Sequence, residues 1–338
     1  MPKGLLELSG TIDLSQFWPT GESDADTVKV KVAGVDAFRF RPNDDAPMNA
    51  THAFNDAVVK GQGSKPCIDK NGRVTIRLQG IDAPELHYLP TAPTLNKKKP
   101  TDAQKAKFKA ANGNFRQHLG ETAAMALGKF LTQAGTGTID CVVRTAVDEP
   151  SDVFDMFGRF IGSIIVDIGG AEQDANLWLC RNGWAYPTFY SSMNADEITE
   201  LLDLAKQAKK AKLGIWKSDS SDLNVFDDQL RFRDHGQPDP AADRGPVFMP
   251  KLFRRRSTYG VTKKAGMTKA NFKAYLAMEP DACVPTEEFL DAGITAVKQR
   301  HLDEFVDNKG KFLVSAGDLV FQEGKSKVVG KDGKPAHW

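Results

Sequence analysis

Cysteine and histidine are scarce, and neither falls into a pattern. Four cysteines, Cys67, Cys141, Cys180 and Cys283, lie far apart in 338 residues with no CxxC, and the six histidines form no HxxxH pair. This argues against a disulfide scaffold and against zinc-type ligand spacing. An excess of one charge is also missing. With 45 Lys and Arg against 44 Asp and Glu, the formal net charge is +1, so any attraction for a polyanion has to come from local patches. No apolar run is long enough to cross a membrane, and Glu7 and Asp13 interrupt a secretory core near the start. The chain is therefore expected to be cytoplasmic with no membrane partner, with a removed leader or another export route left open. Hydrophobic residues at 41% and charged residues at 26% are ordinary globular values, and the length suffices for two domains.

The most informative stretch is Arg73 to Glu85, RVTIRLQGIDAPE. Val74, Ile76 and Leu78 share one strand face, while Thr75, Arg77 and Gln79 share the other, so Arg77 projects from the core. Asp82 and Glu85 follow at once, a cluster suited to metal-assisted attack on a phosphodiester. The same residues also read as a helix start, with Asp before Pro84 and Glu in the first turn. Two further pieces accompany it. Asp24 and Asp26 precede an expected strand Thr27 to Val32, and Asp155-Met156-Phe157-Gly158-Arg159 sets an arginine at an expected hairpin. Each alone is ordinary turn chemistry.

Their order along the chain resembles the staphylococcal nuclease family: a DxDTV element, then RL.GIDAPE, then D..GR, then a Lys-rich helix ending in Trp, here Leu201 to Trp216. The resemblance covers about residues 5 to 217. It implies an α+β fold, a five-stranded OB-type β-barrel with packed helices, and a calcium-dependent nuclease that hydrolyses phosphodiester bonds of DNA or RNA with little sequence preference. It further implies calcium held by Asp26, Asp82 and the carbonyl of Ala83. Glu85 would act as the base or orient a water, and Arg77 and Arg159 would hold the phosphate. The chemistry suits these residue types, because calcium takes oxygen ligands and arginine gives a phosphate two parallel hydrogen bonds. The sequence departs from the family at Ala83, where the backbone carbonyl would still serve, and at Met156 and Phe157, which puts a terminal-phosphate contact in doubt. A catalytically inactive OB-type module that binds nucleic acid or protein is the alternative.

The rest of the chain divides by composition. The nuclease-like domain spans 1–217 with insertions at about 36–72 and 89–114, the second read as a loop. Its Lys97, Lys98 and Lys99 are candidate phosphate contacts. Tyr186, Phe189 and Tyr190, near Trp184, are candidates for stacking on bases, with core packing as the other reading. Helices are expected over Glu172 to Asn182 and from Asn194. A Ser-, Pro- and Asp-rich linker over 218–245 leads to a small, mainly helical C-terminal domain at 246–325, followed by a polar tail at 326–338. In that domain helices are expected over Thr268 to Met278 and Thr295 to Val306, with a short strand near Phe312. Arg254, Arg255 and Arg256 form a basic cluster able to contact nucleic acid or a protein partner. On this reading a chain ending near Ser220 should fold and cut by itself.

Overall fold

Alternation along the first strand decides which way it faces. In β1 (Gly4–Asp13) Leu6, Leu8 and Ile12 are fully buried while their neighbours look outward. β2 (Thr27–Val32) buries Val28 and Val30, and β3 (Arg73–Leu78) buries Val74, Ile76 and Leu78, leaving Arg77 on the outer face as its spacing requires. β4 (Thr138–Val147) and β5 (Phe160–Ile168) complete the set. β1 pairs antiparallel with β2 and, along its whole length, with β4. β2 pairs antiparallel with β3, and β5 with β4. The parallel pairing of β5 with β3, Ile161 beside Arg77, closes the ring. The result is a closed, mixed five-stranded barrel of OB type, with its core inside the ring.

This computed structural model describes residues 3–221, 230–232, 245–293, 295–324 and 326–338. Most of the expected linker, 222–229 and 233–244, lies outside them. Seven α-helices are present among the described residues: α1 (Asp102–Ala111), α2 (Gly120–Leu131), α3 (Ala175–Arg181), α4 (Ala195–Lys210), α5 (Pro250–Lys264), α6 (Phe272–Met278) and α7 (Thr286–Ala292). α4 starts where the sequence places it, with Asn194 and Glu197 forming a capping box.

Several local expectations are corrected. The second insertion is not simply a loop, because Thr101 and Gln104 cap α1 reciprocally and its Phe108 is buried. The stretch expected to begin a helix at Glu172 starts as a strand, Ala171–Asp174, paired to β5, and Asp174 then caps α3 by accepting from Asn176 N and Leu177 N. No helix covers 295–306 among the described residues. Gly293, at φ 72°, ends α7 just before it, and the chain continues as a short strand, Arg300–His301, and a single 3-10 turn. The strand near Phe312 is a single bridge to Val306.

The C-terminal residues pack against the barrel and its insertions. The strand Leu319–Phe321 pairs with Phe189–Tyr190, and Lys327–Val329 pairs with Val58–Gly61 in the first insertion. Trp338 stacks on Phe40 at 4.0 Å, so residues 326–338 include a paired strand and a packed aromatic ring where a polar tail was expected. One apolar cluster joins Leu95, Tyr186 and Ile215 to Val247, Leu252, Tyr275, Phe312 and Phe321. A second joins Phe108 and Phe115 to Phe248, Phe253 and Val261 of the C-terminal segment.

Candidate active site

Arg77 leaves β3 toward the start of β2, because Thr27 is its partner in the ladder. Asp26, one residue earlier, meets it there: Arg77 Nη1 lies 3.1 Å from Asp26 Oδ2. The chain then turns sharply through Gly80, at φ 76°, a conformation that favours glycine. A Cβ there would also lie 2.3 Å from Leu201 of α4. The turn delivers Asp82, whose backbone pairs with Tyr186 and whose Oδ1 accepts from Arg77 Nη2 at 2.8 Å.

The two aspartates before β2 hold the loop that follows. Asp26 Oδ2 accepts from Ala83 N at 2.8 Å, and Asp24 Oδ1 accepts from Leu86 N at 3.0 Å. Gln117 secures the same loop from the other side, its Oε1 accepting from Glu85 N while its Nε2 donates to Phe248 O just ahead of α5. The helix-start reading of Asp82 and Glu85 does not hold, since residues 83–85 are in neither helix nor strand.

A cleft of about 1030 Å³ opens over this group and is lined by Asp26, Arg77, Asp82, Glu85, Arg159 and Tyr190, among others. Arg159 stands at the turn that Asp155 organises. Asp155 Oδ1 accepts from the backbone of Phe157 and Arg159, and its Oδ2 takes the Arg159 guanidinium at 2.7 Å. Gly158, at φ 77°, lets that turn close. Residues far apart in sequence thus line one cleft with guanidinium, carboxylate and aromatic groups. Residues 75–218 match the family described as staphylococcal nuclease homologue. No curated protein matches the chain. The nuclease-homologue match begins inside β3, so Asp24 and Asp26 lie before it, and the pairing of β2 with β3 brings them to the site.

The other expected contacts divide. Tyr186 and Phe189 are fully buried, Tyr186 donating to Asp219 Oδ1, and only Tyr190 of the three lines the cleft. Lys97, Lys98 and Lys99 are exposed but lie outside its lining. The basic cluster is dispersed by the helical turn of α5. Arg256 is buried beside Gly310 O. Arg255 grips Asp281 with two hydrogen bonds of 2.7 and 2.8 Å. Arg254 reaches into the cleft itself: its Nη2 donates to Asp82 Oδ2 at 2.9 Å and its Nη1 to Asp82 Oδ1 at 3.3 Å, and Nη1 also bonds Glu85 Oε1. The sequence showed Arg254 as one arginine among several, and nothing local tied it to Asp82, 172 residues away.

Charge balance follows from this geometry. Burial would push Asp82 up, but Arg254 and then Arg77 outweigh it and hold its carboxyl below the usual range. Burial pushes Glu85 up to about 8; Arg254 pulls against the rise, while Asp24, Asp82 and Asp26 add to it. Asp24 is pushed up to about 6, chiefly by burial.

The donors implied for calcium, Asp26, Asp82 and the Ala83 carbonyl, are all oxygen, but the carboxylates are already engaged. Both oxygens of Asp82 accept from guanidinium groups, one oxygen of Asp26 is spent on Ala83 N and Arg77, and Glu85 Oε1 is held by Arg254. As arranged, both oxygens of Asp82 and Oδ2 of Asp26 face nitrogen donors, which does not fit a divalent cation held by these two carboxylates.

Proposed function

We propose that the chain is a nuclease that hydrolyses phosphodiester bonds of DNA or RNA in the cleft above Asp82. The observation that carries this is the meeting of Arg77, Asp82, Glu85 and Arg159, from separate elements, at one opening. Arg159, whose side chain is 30% exposed, is placed to bind the phosphate and to stabilise the charge that builds as water attacks. Arg77 is only 11% exposed and bound to Asp26 and Asp82, so its part is to fix those carboxylates at the cleft floor. In its ionised form, whose share grows as pH rises toward about 8, Glu85 accepts a hydrogen bond from the attacking water and takes its proton as the new P–O bond forms and the bond to the leaving oxygen breaks, that oxygen taking a proton from solvent. Tyr190 offers a ring for a neighbouring base.

The test is cleavage of denatured DNA and of RNA, measured with calcium and with chelator so that either metal outcome registers activity. Arg159→Ala and Glu85→Ala should each lower turnover by roughly a hundredfold or more with unchanged circular dichroism. A folded variant nearly as fast as wild type removes that residue from the mechanism. A wild type that binds DNA but cuts nothing in either condition leaves the inactive binding module.

A further inference from the structure

We infer that Arg254 is the resident cation of this site: it holds the seat between Asp82 and Glu85 that a divalent ion would need, and the intact protein takes up no calcium there. The inference rests on reading the cleft as the catalytic one, but its test below reads metal binding rather than cleavage.

Occupancy is the first ground. The guanidinium fork spans both oxygens of Asp82 and reaches Glu85. Asp82 is fully buried, so no face of its carboxylate is turned to solvent for a metal to approach. A hydrated cation needs several oxygens free at one point. Here the Asp82 and Glu85 carboxylates are aimed at nitrogen, and one oxygen each of Asp24 and Asp26 accepts from a backbone N–H of the loop.

The second ground is that Arg254 is built in. The helix that carries it, α5, is fixed on several sides. Arg255 and Lys251 both pair with Asp281. Gln117 joins the Glu85 backbone to Phe248, Tyr88 Oη lies 2.8 Å from Thr258 Oγ1, and Phe253 is buried with Phe108 and Phe248. Withdrawing Arg254 by moving α5 would disrupt all of these. Swinging the side chain alone would leave a buried carboxylate with Arg77 as its remaining cation. Meanwhile 29% of the Arg254 side chain remains exposed to the cleft. The charge that orders Asp82 and Glu85 is therefore also presented to an incoming phosphate, beside that of Arg159.

The experiment is calorimetric titration of the full chain with calcium chloride, beside Arg254→Ala and Asp82→Asn. Wild type should show no site up to millimolar calcium, and Arg254→Ala should bind one calcium at least tenfold more tightly than wild type. Wild type binding one calcium at micromolar concentration, lost in Asp82→Asn, overturns the inference. So does a folded Arg254→Ala that binds no better than wild type. Should Arg254→Ala fail to fold, Arg254→Gln, which keeps size and hydrogen bonding but not charge, replaces it, and the wild-type titration stands by itself. Absence of nuclease activity would defeat the proposed function and leave this titration unaffected.

Discussion

Asp82 shows how much one buried carboxylate demands of its surroundings. An isolated charge there would be costly, and two guanidinium groups, one 5 residues before it and one 172 residues after, compensate it. The cysteines show the opposite case, buried thiols that carry no charge, with Cys180 Sγ donating to Leu201 O at 3.4 Å. Burial pushes the thiols of Cys67, Cys141, Cys180 and Cys283 up to about 12, so at neutral pH almost none is thiolate. A disulfide reagent should label none of the four in the native protein within an hour and all four in guanidinium chloride. Rapid labelling of any one in native buffer would place it at an accessible surface. These residues pack, and the redox roles excluded by their spacing are excluded again by their environment.

At the scale of elements, α5 matters most to the site, and Asp281 is its anchor. Burial raises the Asp281 carboxyl, but Lys251 and Arg255 outweigh this and bring it down to about 2. Because the folded value is depressed, the stabilisation is present above the unfolded value of roughly 3.9 and is lost as pH falls through the folded value. The loss is about 2–3 kcal/mol over that window, pH 4 to 2. Urea unfolding of wild type and Asp281→Asn should therefore differ at pH 7 and converge toward pH 2. Parallel curves would show that the ion pairs contribute nothing net. α5 itself was not legible in the sequence: it lacks a clear apolar stripe because it is buried on several sides, and its arginines made it look like a surface.

For the whole molecule, the insertions and the C-terminal segment complete one another. The first insertion receives the strand Lys327–Val329 and Trp338, and the second packs Phe108 against α5. A chain ending at Ser220 would expose Leu95, Tyr186 and Ile215, remove the partner strand of Phe189–Tyr190 and take Arg254 from Asp82. The expectation that it folds and cuts by itself is thus reversed. It should be insoluble, or melt far below the full chain, when the two are compared by scanning calorimetry. A soluble fragment with wild-type melting would show that the C-terminal packing is dispensable.

Local and periodic features were legible along the chain. Period-two alternation placed β3 and turned Arg77 outward; a capping residue started α4; and the run from Arg77 to Glu85 with Arg159 downstream named residues that line one cleft. These signals are readable because neighbours along the chain create them. Tertiary structure alone decided the rest. Whether Tyr186 stacks on a base or fills a core depends on what lies above it, and Val247 to Phe321 lie there. Whether Asp82 faces a metal or an arginine depends on a helix 172 residues away. Contacts of that separation leave no spacing to read, because the barrel, not the chain, sets their distance.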